Sequence, residues 1–313
     1  MRGRAKAALS EAASGAAARS EAQPSEVEYG RVPWAAPMSV GAAGARDIGA
    51  REFVERMTLP VLQAAAAVRW LEGRVRNRPK SDEQTPEKAA LTDGDCVSQE
   101  ILLVALRAHF PWVSVFVEED TPTAEAFVAN RSAQTVVIDP IDGTARYLRG
   151  DGPYAILLGL EREGAVEAAL VAVPQFGVVA RATRGGGAER ADHGGPFAPV
   201  RAERRGAQLL VSHGLPQAVR ARANAALWKP VVAAGAAIGV APLLDGVGGG
   251  VRIAAEPQGL SRRAWIAGLV TCEAGGCVET LEGELPARFQ PGVRGALVGA
   301  SARDVQKLRE LVS

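Results

Sequence analysis

Apolar residues recur at helical spacing from Arg51 onward, at Phe53, Val54, Met57, Val61, Leu62, Ala65, Ala66, Val68 and Leu71. They predict a long amphipathic helix in which Pro60 is expected to cause a kink or a broken first turn. A charged, proline-containing stretch covers 73–94, after which Ile101, Leu102, Leu103, Ala105 and Leu106 predict a second helix over 95–110. The pattern then shortens. Phe110 to Val117 reads as a strand ending in acids, Val136 to Ile138 as a short buried strand, and 152–160, 168–173 and 178–182 as three consecutive antiparallel strands. The second half alternates: strand 208–212, helix 216–227, strand 231–234, an Ala/Gly/Leu-rich segment 235–250, helix 261–274, strands near 277–280 and 296–299, and a closing helix 302–312. The fold class is α/β, with helices and sheets in layers.

Residues 1–48 depart from this patterning, because Ala, Gly, Ser and Arg dominate without sustained periodicity. They read as a disordered tail, or as residues upstream of a true start near Met38. Glu11 and Arg19 interrupt any secretory apolar core, and Glu11 and Glu21 are foreign to a transit peptide. Beyond the tail, 49–205 and 206–313 form the expected N-terminal and C-terminal domains.

A formal net charge of +1 argues against a nucleic acid polymer or an anionic membrane as the main partner. The scattered Cys96, Cys272 and Cys277 have no zinc-knuckle spacing and are expected to be reduced, in keeping with a cytoplasmic setting. With only three histidines and no Gly-x-Ser-x-Gly elbow, a serine-histidine triad is disfavoured. Scarce imidazole beside clustered carboxylates favours magnesium-type over zinc-type chemistry.

The carboxylates that matter lie in Val137-Ile138-Asp139-Pro140-Ile141-Asp142-Gly143-Thr144. Asp-Pro and Asp-Gly turn dipeptides end the strand and let Asp139, the Ile141 carbonyl and Asp142 converge on one point suited to a hard cation. Gly143 lets the backbone pass close, and Thr144 supplies a hydroxyl. The bare spacing also suits a solvated turn. The full string resembles the signature of the inositol monophosphatase superfamily of magnesium-dependent, lithium-sensitive phosphatases, which includes the 3'(2'),5'-bisphosphate nucleotidases. Its Gly-Glu-Glu segment is matched by Val117-Glu118-Glu119, its Val-Thr-x-x-Asp segment by Leu91-Thr92-Asp93-Gly94-Asp95, its Arg-x-Gly-x-Gly-Ala hairpin by 184–188, and its Glu-Ala-Gly-Gly by 273–276.

That resemblance implies an α-β-α-β-α sandwich of the inositol monophosphatase and fructose-1,6-bisphosphatase type, Mg2+ held by Glu118, Asp139, Ile141 and Asp142, and a water activated by Glu118, Thr144 and Asp95. Asp95 is equally readable as a helix cap. The phosphate of a small phosphorylated sugar, polyol or nucleotide is expected on Gly143 and Thr144. Lys80 to Lys88 reads as a mobile loop near the metals or as a solvated linker. A homodimer is implied by the resemblance alone. Glu256 stands at the spacing of a substrate-hydroxyl contact, or is a surface acid before Pro257; the nearby hydroxyl-binding acid appears as Arg252. The acid that completes the second metal position, ten residues before the Glu of Glu-Ala-Gly-Gly, is Arg263 here. Arg263 therefore takes the place of that metal or of its ligand as a fixed cation suited to bidentate binding of the substrate phosphate, weakening lithium sensitivity, or else points to solvent. The two functional readings are a magnesium-dependent phosphomonoesterase and a non-catalytic or regulatory relative with a degraded second metal site.

Overall fold

A computed structural model describes residues 46–81, 89–254 and 259–313. The expectations for residues 1–45, for most of the 80–88 loop and for Glu256 lie outside the described residues. The first helix, α1 (Ala50–Leu71), buries Phe53, Met57, Val61, Ala64 and Val68 on one stripe and continues through Pro60, which is itself buried. The second, α2 (Asp93–His109), starts two residues earlier than its apolar pattern indicates. Its N-cap is Thr92, and Asp95 closes a capping box from the third helical position.

These two helices cover one face of a seven-stranded sheet whose spatial order follows the chain. Its strands are β1 (Ser114–Phe116), β2 (Gln134–Asp142), β3 (Ala155–Arg162), β4 (Ala165–Val173), β5 (Val178–Thr183), β6 (Gly187–Asp192) and β7 (Ala198–Pro199). Only β1 and β2 are parallel. Beyond the Arg184–Ala188 hairpin, β6 and β7 extend the sheet. Alternation along β3 separates two cores: Ile156, Leu158 and Leu160 pack under α1 and α2, while Ala155 and Leu157 face the second sheet.

The second sheet has the order β11-β12-β10-β8-β9. It comprises β8 (Gln208–Val211), β9 (Lys229–Val232), β10 (Val247–Ile253), β11 (Cys277–Thr280) and β12 (Gly295–Gly299). Between the sheets lie α5 (Gly235–Gly239) and α6 (Arg263–Glu273), with Trp265, Ile266 and Val270 in the shared core. Gly159 on β3 permits that approach, since a Cβ there would fall 2.6 Å from the Ile266 side chain. The outer face of the second sheet is closed by α4 (Gln217–Ala225) and α7 (Ala302–Val312), which bury Val219, Val305 and Leu308. Helix, sheet, helix, sheet and helix thus stack as the expected five-layer sandwich. The strands of the first sheet end at Pro199 and those of the second begin at Gln208; the division into two domains at 205/206 remains a proposal.

The closing helix is capped by Ser301, whose Oγ accepts from the Asp304 backbone N–H at 3.3 Å. Ser301→Ala is expected to cost about 1 kcal/mol, and an unchanged thermal midpoint would show that the cap contributes nothing. Among the described residues no helix is long and apolar enough to cross a membrane.

Candidate functional site

The signature strand runs further than its turn dipeptides suggest. β2 pairs with β3 as far as Asp142, and the register shifts between Asp139 and Asp142. Pro140 sits within that irregularity, where a missing N–H is tolerated. The carbonyl of Pro140 accepts from Ser98 Oγ of α2 at 2.9 Å. Gly143 then turns the chain with φ of 92°, a left-handed conformation that favours glycine. The short helix α3 (Thr144–Arg149) follows.

Thr144 and Asp95 meet as a buried pair. Thr144 Oγ1 lies 2.9 Å from Asp95 Oδ1 and 3.0 Å from the Ile141 carbonyl, each able to accept its proton. Asp95 Oδ2 accepts from the Thr92 N–H at 2.8 Å and from Thr92 Oγ1 at 2.6 Å. Burial pushes the Asp95 carboxyl up to about 6, against the lowering effect of these hydrogen bonds. Asp95 therefore serves as a cap from within the helix and reaches Thr144 with its other oxygen.

Glu118 and Glu119 follow β1, held in place by Gln99, whose Nε2 donates to the Glu119 carbonyl at 2.6 Å and whose Oε1 accepts the Glu119 N–H at 3.0 Å. Glu118, Asp139 and Asp142 converge, but on a guanidinium. Arg263, at the start of α6, donates from Nη2 to Glu118 Oε2 at 2.7 Å. Its Nε stands 2.7 Å from Asp139 Oδ2, and its Nη1 is 3.9 Å from Asp142 Oδ1. The Nε contact lies off the hydrogen-bonding direction, so both oxygens of the fully buried Asp139 lack a hydrogen-bond donor. Asp142 Oδ2 instead accepts from the Ala236 N–H at the start of α5.

Lys80 adds a second cation, 2.7 Å from Glu119 Oε1 and 3.5 Å from Glu118 Oε1. It is carried by a ladder in which the Lys80 N–H donates to the Ala89 carbonyl and the Arg78 N–H to the Leu91 carbonyl. Arg252 of β10 is a third, its guanidinium packed over Gly235 and its Nη1 enclosed without a hydrogen-bond partner. Burial raises the Asp139 carboxyl well above its ordinary range despite Arg263. Burial also acts to raise Glu118, but Arg263 and Lys80 outweigh it and hold that carboxyl below its usual value.

The donor set does not fit a divalent ion as it stands. Among the described residues no group of three or more His, Cys, Asp or Glu side chains is arranged to hold a metal. The guanidinium fills the convergence point of Glu118, Asp139 and Asp142, and a positive group there opposes a second cation. The sequence-derived residues Asp95, Glu118, Asp139, Ile141, Asp142, Gly143, Thr144 and Arg263 are thus brought together. Arg263 turns inward, not to solvent. Two roles escape sequence reasoning: the ion pairing of Lys80, which is read only as the start of a loop near the metals or of a linker, and the clamp by Gln99, which reads as one more helix position.

Residues 55–244 match the inositol monophosphatase family. A histidinol-phosphatase of Chlorobaculum parvum is 31% identical over 100 residues, covering 31% of this chain and 36% of the relative. An inositol-1-monophosphatase of Mesorhizobium japonicum is 29% identical over 122 residues, covering 37% of this chain and 44% of the relative. The chain thus spans less than half the length of these curated relatives. The crystal structure of extragenic suppressor protein suhB from Bartonella henselae superposes with a TM-score of 0.64 at 19% identity, over 83% of this chain and 98% of that one, a likeness of fold.

Proposed function

Because the chain belongs to the inositol monophosphatase family, we propose that its site binds a small phosphorylated metabolite, a sugar, polyol or nucleotide phosphate, with little or no metal-dependent turnover. The observation that carries this reading is Arg263, seated among Glu118, Asp139 and Asp142. A fixed guanidinium cannot change its coordination or lower the pKa of a bound water as a divalent ion does, but it recognises phosphate oxygens well. In this reading the same phosphate also accepts from the backbone N–H groups of Gly143 and Thr144.

A second reading is a magnesium-dependent phosphomonoesterase, with Mg2+ on Glu118, Asp139, the Ile141 carbonyl and Asp142 after Arg263 has turned away. Two observations favour it: the Asp95–Thr144 pair is intact, and both Asp139 oxygens lack hydrogen-bond donors. Calorimetry and phosphate-release assays on a panel of phosphomonoesters, with Mg2+ and with chelator, separate the two. Binding without release supports the first. Release that disappears on chelation, and falls by about three or more powers of ten in Asp142→Asn, establishes the second. Assembly as a homodimer and a cytoplasmic setting belong to the same proposal; a monomeric mass in light scattering would end the former.

A further inference from the structure

Two side-chain cations, Arg263 and Lys80, meet the acidic cluster, and a third, Arg252, lies within reach of its charge. Arg263 is anchored along one edge, Nε 2.7 Å from Asp139 Oδ2 and Nη2 donating to Glu118 Oε2 at 2.7 Å. Nη1 on its far edge comes no nearer than 3.9 Å to Asp142, and 28% of the side chain stays exposed. Its position is set by carboxylates on one edge, while the other edge has no acid in close contact. Lys80 covers the remaining oxygen of Glu118 at 3.5 Å and binds Glu119 at 2.7 Å.

Arg252 approaches from the second sheet and feels the charges of Asp142, Arg263 and Asp139. Room for it is made by Gly235, where a Cβ would fall 2.4 Å from the guanidinium carbon. Its enclosed Nη1 has no partner in the protein, an arrangement that costs stability until an acceptor arrives. A divalent ion on these carboxylates would lie about 2.1 Å from their oxygens, in space and charge already taken by Arg263. Phosphoryl oxygens, in contrast, suit the donor edge that Arg263 leaves weakly engaged, and the charge of Arg252 adds to the attraction.

We propose that Arg263, supported by the charge of Arg252, stands permanently in the role of the divalent ions, so that the chain binds the phosphoryl group of its ligand through guanidinium donors and without a metal. This rests on the reading of the site as one for a phosphorylated metabolite, and the test keeps the two apart. Full-length protein freed of metal by chelation is titrated with inorganic phosphate and with a panel of phosphomonoesters, then again with Mg2+; Mn2+ binding is followed separately by electron paramagnetic resonance.

The expected result is the same phosphate affinity in both buffers and a Mn2+ spectrum that stays that of the free ion. Arg263→Ala should weaken phosphate binding in chelator by about tenfold or more and allow Mn2+ to bind. Arg252→Ala leaves the Glu118 ion pairs with Arg263 and Lys80 in place, so it should weaken phosphate without admitting Mn2+, and it keeps the test open if Arg263→Ala fails to fold. Phosphate binding that appears only with Mg2+, Mn2+ binding to the unaltered protein, or phosphate affinity unchanged in both variants would overturn the inference while leaving the site reading intact. Failure to bind any of these anions in either buffer overturns the site reading, and the inference with it.

Discussion

Arg263→Ala is expected to lower the stability of the fold by about 3–5 kcal/mol near pH 8, because it leaves a buried carboxylate cluster without its central cation. Asp139 is wholly buried and has no hydrogen-bond donor to replace the lost charge. The loss should depend on pH in a definite direction. Asp139 already has a folded-state pKa raised by burial and held down chiefly by Arg263. A raised carboxyl contributes its stability at low pH and loses it as pH rises through the folded pKa, so pushing that pKa higher widens the deficit toward alkaline pH. Glu118 moves the same way. Its pKa is depressed with the help of Arg263, so its favourable contribution is present above its ordinary value and absent in acid, and the variant forfeits it only above that value. Thermal melts should therefore nearly coincide for variant and unaltered protein near pH 4 and separate by roughly 6–20 °C near pH 8. Added Mg2+ should recover part of the difference in the variant alone. Equal separation at all pH values would mean that Arg263 stabilises by packing, with no part played by compensation of the carboxylates.

Much of this site was legible because its chemistry lies in a contiguous string. Asp139, Ile141, Asp142, Gly143 and Thr144 come from eight consecutive residues, and the departure at Arg263 emerges from a single count backward from Glu273. The layers were readable for a similar reason, since apolar stripes on α1 and α2 carry a period and β3 to β5 are short, nearly continuous apolar runs separated by turns. β10 carries none. Its Gly248, Gly249 and Gly250 look like a loop, yet each lies where a side chain would collide: Gly248 with Trp228, Gly249 with the Val298 carbonyl and Gly250 with Ile238. A glycine run selected for close packing cannot be told from one selected for flexibility without its neighbours. The strand end was misplaced for a related reason, because Asp-Pro-Ile-Asp is a turn signal locally but a bulged continuation of β2 once β3 is alongside. The ion pairing of Lys80 is the deepest omission: its contact with Glu119 spans 39 residues, and only the tertiary fold selects it from the other basic residues of the 73–94 stretch.

Asp95 should behave oppositely to Arg263 when its charge is removed without its shape. It is 1% exposed, and burial raises its pKa from 3.8 to about 6. The ionised form accepts from the Thr92 N–H, Thr92 Oγ1 and Thr144 Oγ1. The protonated form can donate to Thr144 Oγ1, whose own proton then goes to the Ile141 carbonyl 3.0 Å away. A folded-state pKa above the unfolded one means that stability is greatest below about pH 4 and is lost as pH rises through 6, a difference of about 3 kcal/mol for a shift of this size. In the Asp95→Asn variant the side-chain oxygen could accept from Thr92 and the amide nitrogen donate to Thr144, imitating the protonated state at every pH. Asp95→Asn is therefore expected to match the unaltered protein near pH 4 and to exceed it by up to about 3 kcal/mol at pH 8. Asp95→Ala should instead lose about 2–4 kcal/mol throughout, since it leaves the buried Thr92 N–H and both hydroxyls short of an acceptor. Urea denaturation at the two pH values distinguishes the outcomes. If Asp95→Asn proves as unstable as Asp95→Ala at pH 8, the carboxylate charge is itself stabilising and some nearby cation must hold it. If it proves more stable, the fold retains a destabilising negative charge beside Thr144, as expected of a group kept for binding or chemistry and not for folding.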